Sequence, residues 1–201
     1  LGGPTVWADD GHEVAFGQFE LTGPEWISTL PTWPAPPLLM ASEPVITLGP
    51  AQFDVYTGRL LRFYGIEVDG PRLELWRGPT DNDRSSARGS FELSRPEETD
   101  GEGVTGPSSE QRWRDRGLDR LVHRLDQISC DDDQLLAAVR VSAAGSNRFV
   151  DVTYHWLLTD GLALLVSVVP SPGWDCTWPR VGVRFDLPPE LRYASWFGTG
   201  P

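Results

Sequence analysis

Phe149-Val150-Asp151-Val152-Thr153-Tyr154-His155-Trp156 alternates apolar and polar residues along its length. A period of two places Val150, Val152, Tyr154 and Trp156 on one face of an extended strand and His155 on the outer face. The Thr159-Asp160-Gly161 turn then joins this strand to Leu162–Val169 as a hairpin. Further strands are expected at Leu121–Ile128, Leu135–Val141 and Arg180–Leu187. Short strands separated by turn residues point to an antiparallel sandwich rather than a parallel α/β sheet.

Upstream the same pattern continues. Val45-Ile46-Thr47-Leu48, Gln52–Tyr56, the Thr57-Gly58 turn and Leu60–Tyr64 form a meander, and Glu67-Val68-Asp69-Gly70 is expected as another turn before a stretch from Leu73 to Asp83. Residues 84–108 carry repeated Gly and Pro and the acidic knot Glu97-Glu98-Thr99-Asp100, which together predict one long excursion. After it, Ser109–Gly117 is expected to be a short helix closed by glycine and anchored by Trp113. Tyr193–Pro201 is expected as a strand ending in a Gly-rich turn, with the fold left incomplete at its C-terminus.

The N-terminal part differs. Residues 1–23 contain an Ala8–His12 turn and a strand through Val14 and Phe16, and a lone hairpin cannot bury its own face. We expect it to be the end of a domain whose other strands lie elsewhere. Residues 24–44 hold Pro24, Pro31, Pro34, Pro36, Pro37 and Pro44, so they are expected to be an extended linker. The domain then runs over 45–201.

A net charge of −12 argues against nucleic acid or an anionic membrane surface as a partner. All 17 basic residues are Arg, which removes catalytic-lysine and Schiff-base mechanisms. The two cysteines, Cys130 and Cys176, lack the spacing of a zinc site or a disulfide framework and are expected as thiols in a reducing compartment. There is no basic leader and no apolar run of the roughly 20 residues a membrane span needs, so the expected location is cytoplasmic.

Leu75-Trp76-Arg77-Gly78-Pro79-Thr80-Asp81-Asn82-Asp83-Arg84 carries the strongest candidate site. An apolar pair, a Gly-Pro break and three turn-forming residues describe a strand that stops at a corner. Asp and Asn there can accept hydrogen bonds from backbone N–H groups and from Arg, making a rigid turn, or can form the polar lip of a ligand site. Asp81-x-Asp83-x-Ser85 with Glu92 has the outline of a calcium loop, but Ser86 stands where that loop needs Gly and strands flank it. Asp131-Asp132-Asp133 and Asp9-Asp10 read as solvated hairpin ends. His12, His123 and His155 lie apart, without metal-ligand spacing.

The corner is similar to the Arg-Ala-Pro-Thr-Asp-Asn-Asp segment of the large β-galactosidases of glycoside hydrolase family 2, with Gly78 in place of Ala. Trp7 with Gly11–Ala15 and Gln18, Arg112-Trp113 with Gly117, Tyr154–Leu158, and Trp196-Phe197-Gly198-x-Gly200-Pro201 also resemble that family. The resemblance implies a large antiparallel β-sandwich, or supersandwich, of the galactose-mutarotase-like kind, incomplete at its C-terminus and preceded by a hairpin from an Ig-like domain. It implies a non-catalytic C-terminal part of a retaining β-galactosidase, acting on terminal β-D-galactose residues and supporting the active-site mouth and assembly.

Under that resemblance this chain holds no catalytic residue, metal or cofactor. The glutamates belong to a TIM barrel elsewhere in a parent that can be a homo-oligomer, with magnesium and sodium bound in or beside that barrel. Asp81, Asn82, Asp83, Arg84 and Ser85 become the substrate-proximal turn and loop, and the chain by itself is expected to be inactive. A stand-alone carbohydrate-binding or structural module is the alternative, with Trp113, Trp174, Trp178 and Trp196 available either to stack on sugar rings or to fill a core. A mutarotase would need a His and a carboxylate facing across the sheet, for which the spacing gives no signal.

Overall fold

The computed structural model describes residues 44–84 and 107–193, all within the unit Ala35–Pro201. The expectations for residues 1–43, for the excursion from Ser85 to residue 106, and for Ala194–Pro201 lie outside the described residues.

The described strands are β1 (Val45–Leu48), β2 (Ala51–Asp54), β3 (Leu60–Phe63), β4 (Ile66–Glu74), β5 (Leu121–Cys130), β6 (Gln134–Ala143), β7 (Val150–Leu158), β8 (Leu162–Pro170) and β9 (Gly182–Asp186). They form a five-stranded sheet in the order β1-β2-β3-β4-β9 and a four-stranded sheet in the order β5-β6-β7-β8. Every pairing is antiparallel. The fold is therefore the all-β sandwich that the alternation in 149–156 predicts.

The predicted inner face of β7 is buried, with Val150, Val152, Tyr154 and Trp156 exposed by 0%, 1%, 2% and 4%. Across the sandwich, Phe53 of β2 meets Trp156 edge-to-face with ring centroids 5.3 Å apart. Each such side chain contributes about 1.5–3 kcal/mol by leaving water. Their summed burial holds the two sheets together.

One predicted turn is corrected. Glu67–Gly70 lies inside β4, and the chain reverses earlier, where Phe63 pairs with Ile66. The two residues between them, Tyr64 and Gly65, have φ of 47° and 81°, the left-handed geometry that a two-residue hairpin turn requires. Gly70 marks a close approach instead: a Cβ there would come within 2.7 Å of the Arg184 carbonyl oxygen on β9.

β3 stops accompanying β4 at the Leu60–Gly70 pair. Further along, the backbone of Leu73 is satisfied by side chains of the opposite sheet. Its N–H donates to Tyr154 Oη at 2.7 Å, and its carbonyl oxygen lies 3.0 Å from His123 Nε2. Burial raises the Tyr154 hydroxyl to about 12, so it stays protonated. Burial also lowers the His123 imidazole, and Arg59 and Arg72 act in the same direction. A neutral ring that donates from Nε2 fits the Leu73 carbonyl.

The remaining helical pieces are α1 (Asp81–Arg84) and α2 (Ser109–Asp115), with a short 3-10 turn at Leu118–Arg120. Ser108 caps α2 by accepting from Gln111 N–H at 3.2 Å. As predicted, Trp113 anchors α2 at 3% exposure and left-handed Gly117 follows its end.

Candidate functional site at the β4 corner

β4 ends at Glu74, and Leu75 beyond it is fully buried. Pro79 has no N–H to continue a ladder, and the chain turns through 77–80 into the single turn of α1. Asp83 holds this corner. Its carboxylate accepts from Arg77 Nη1 at 2.6 Å and Nη2 at 3.0 Å, and from the Thr80 N–H and Oγ1 at 2.7 Å each. The bond to the Thr80 N–H is one arm of a capping box.

The Asp83 side chain is only 10% exposed, against 37% for Arg77. The Arg77 fork, aided by Thr80, holds the Asp83 carboxyl far below the usual carboxylate range despite the opposing cost of burial. Arg77 is correspondingly raised, with Asp83 as the main cause. Asp83 is thus a committed acceptor, unsuited to donating a proton or attacking an anomeric carbon.

The structure brings Asp81, Asn82, Asp83 and Arg84 together on α1, while Ser85 lies outside the described residues. Asp81 and Asn82 are exposed, and Arg84 Nη1 lies 3.7 Å from Asp81 Oδ1. The turn therefore buries its inward carboxylate and presents its other polar groups outward. That arrangement can hydrogen-bond a hydroxyl-rich ligand at a lip. It supplies no pair of carboxyl groups facing across a cleft.

Sequence reasoning missed how α2 backs the corner. Trp76 and Trp113 pack edge-to-face with centroids 6.2 Å apart. The Arg77 guanidinium lies 5.1 Å from the Trp113 ring centre, and that of Arg114 lies 5.0 Å from the Trp76 ring. The readable signal was Glu110 with Arg114 at helical i,i+4 spacing: Glu110 Oε1 accepts from Arg114 Nε and Nη2 at 3.0 and 2.9 Å.

The other candidates serve structure. Asp131 accepts from the Asp133 and Gln134 N–H groups at 3.2 and 3.0 Å, closing the β5–β6 turn. His155 Nε2 lies 2.8 Å from Gln134 Oε1. Among the described residues no group of three or more His, Cys, Asp or Glu is placed to hold a metal ion. Cys130 and Cys176 remain thiols.

Trp174 and Trp178 pack on each other edge-to-face at 5.3 Å, and Trp174 Nε1 donates to the Phe149 carbonyl at 3.2 Å. Both are occupied with packing, as Trp113 is; Trp196 and His12 lie outside the described residues. A wide cleft of about 810 Å³ opens away from the corner, along Gln52, Arg62, Glu67 and Asp69. Asp69 is bound there to Arg59 and Arg72.

Fold and corner together define an antiparallel sandwich domain with a rigid polar turn whose buried carboxylate, Asp83, is taken up by Arg77 and Thr80. The family model described as "Beta galactosidase small chain" matches residues 50–201. The chain belongs to that family. It is 42% identical over 198 residues to a β-galactosidase of Arthrobacter sp. (strain B7), an alignment covering 98% of this chain and 19% of the relative. β-Galactosidases of Klebsiella pneumoniae and Priestia megaterium (strain DSM 319 / IMG 1521) are 27% and 26% identical, each over 98% of this chain and over 19% and 18% of their own lengths. The chain thus spans about one fifth of these relatives.

Proposed function

We propose that this chain is a non-catalytic C-terminal portion of a β-galactosidase that hydrolyses terminal non-reducing β-D-galactosyl residues with retention. The observation that carries the reading is the family match over 50–201, joined to a corner whose buried carboxylate is wholly engaged by Arg77 and Thr80. The reacting glutamates then belong to a barrel elsewhere in the parent polypeptide, with its magnesium and sodium in the region of that barrel. The described residues offer no carboxylate or imidazole cluster for such ions.

In this reading Asp81, Asn82, Asp83, Arg84 and Ser85 form the substrate-proximal turn and loop, and the sandwich supports the active-site mouth and the assembly of a parent that can be a homo-oligomer. An Ig-like domain ends at about residue 23 and a Pro-rich linker spans 24–44. The cytoplasmic address draws support from the two thiols. No helix among the described residues is long and apolar enough to cross a membrane.

The test is direct. Purified protein of this sequence should leave a chromogenic β-galactoside unhydrolysed, whereas the complete polypeptide should release β-galactose first. Hydrolysis by this chain alone would falsify the reading. Millimolar or tighter binding of galactose or lactose to the isolated chain in titration calorimetry would instead favour a stand-alone sugar-binding module.

A further inference from the structure

Glu110 is shared between two elements. Its Oε1 is held by Arg114 of α2, and its Oε2 accepts from Arg84 Nε of α1 at 3.3 Å. From Arg114 the contacts run over Trp76 to Trp113, from Trp113 to Arg77, and from Arg77 into Asp83. Asp83 and Arg84 are neighbours on α1. The contacts therefore form a closed ring that leaves the turn at one residue and re-enters at the other.

A ring of this kind meets a specific mechanical need. α1 has four residues, too few for a helix to fix its own direction. The bonds from Arg77 and Thr80 fix the Asp83 side of the turn, but none of them reaches the Arg84 side chain that follows. Glu110 supplies a second attachment by accepting from Arg84 Nε. An ordinary i,i+4 pair with Arg114 would explain only one of the two Glu110 oxygens.

We propose that Glu110 is a positioning residue for a β-galactoside at the Asp81–Asn82 lip. It acts through Arg84, with Arg114 and Trp113 holding it in place, and does not touch the sugar. This rests on the reading that the turn lies at the active-site mouth. Glu110 and Arg84 have side chains 20% and 57% exposed, so their pairing adds little to stability and acts mainly on orientation. Its loss should appear in substrate binding more than in folding.

The experiment uses the complete β-galactosidase polypeptide, a chromogenic β-galactoside, and the variants Glu110→Gln, Arg84→Ala, their combination, and Asn82→Ala as the control for the mouth reading. Glu110→Gln and Arg84→Ala should each raise KM roughly two- to fivefold, the range set by an exposed charge pair, with kcat and the thermal midpoint unchanged. The double variant should be no worse than either single one, and Arg84→Lys should restore part of the loss. If Glu110→Gln leaves KM untouched while Asn82→Ala raises it, the positioning role is overturned and the mouth reading stands. If both are silent, the mouth reading fails and the proposal with it. A fall in kcat together with the thermal midpoint would mark Glu110 as merely structural and overturn the proposal.

Discussion

The inner face of β7 and the corner after β4 are built on opposite principles. Around β7, apolar side chains are fixed by exclusion from water: Val150 and Val152 are each at most 1% exposed. Around the corner, Asp83 is fixed by four directed hydrogen bonds, and Arg77 and Arg114 by the faces of two indoles. Burial is strong but indifferent to direction, whereas hydrogen bonds and ring contacts set orientation at modest energy. A domain that must hold a turn at one attitude therefore needs both.

The contrast can be broken most severely at Phe53, which is fully buried against Trp156. Phe53→Ala should cost about 3–5 kcal/mol in chemical denaturation and loosen the whole sandwich. Asp83→Ala should cost about 2–3 kcal/mol at neutral pH, because it leaves Arg77 and Thr80 without their acceptor. The sign with pH follows from the lowered Asp83 carboxyl. Its stabilisation is fully present above about pH 4, the unfolded carboxylate value, and is lost as pH falls through the folded one. The gap between Asp83→Ala and the parent protein should therefore close in acid.

His123 gives a smaller effect in another window. Its folded value is lowered by burial, so the unfolded chain binds the proton more readily. The stability it lends should be present above about pH 6.5 and decline as pH falls toward the folded value. His123→Leu should cost about 1–2 kcal/mol at pH 8 and flatten that part of the pH–stability curve. The smallest change is expected on the outer face of the four-stranded sheet. There Arg124 pairs with Asp126 while 67% exposed, and Arg124→Ala should stay within about 0.5 kcal/mol. A cost as large as that of Asp83→Ala would show that surface charge pairs hold this sheet as well.

These regions were also unequally legible in the sequence. The β7 face could be read from eight consecutive letters, because a two-residue period is local and needs no knowledge of the partner sheet. Glu67–Gly70 reads as a turn because a glycine in a strand looks the same in sequence whether it reverses the chain or admits a neighbouring backbone. Here it admits β9, which comes more than 100 residues later. At the corner, the hydrogen-bonding capacity of Asp83 was visible, but its burial was not. The Trp76–Trp113 contact and the reach of Glu110 to Arg84 depend on where α2 lands, and no periodicity encodes that.

The capture of the Leu73 backbone by Tyr154 and His123 works as a rivet through both leaves of the sandwich. It sits just upstream of the corner, on the strand from which the corner projects. The Leu73 amide should thus exchange with deuterated solvent only when the entire domain opens, far more slowly than amides in α1. A ligand pressing on the turn would meet a bracket bolted to the deepest part of the fold, so strain applied at the rim would be borne by the opposite sheet.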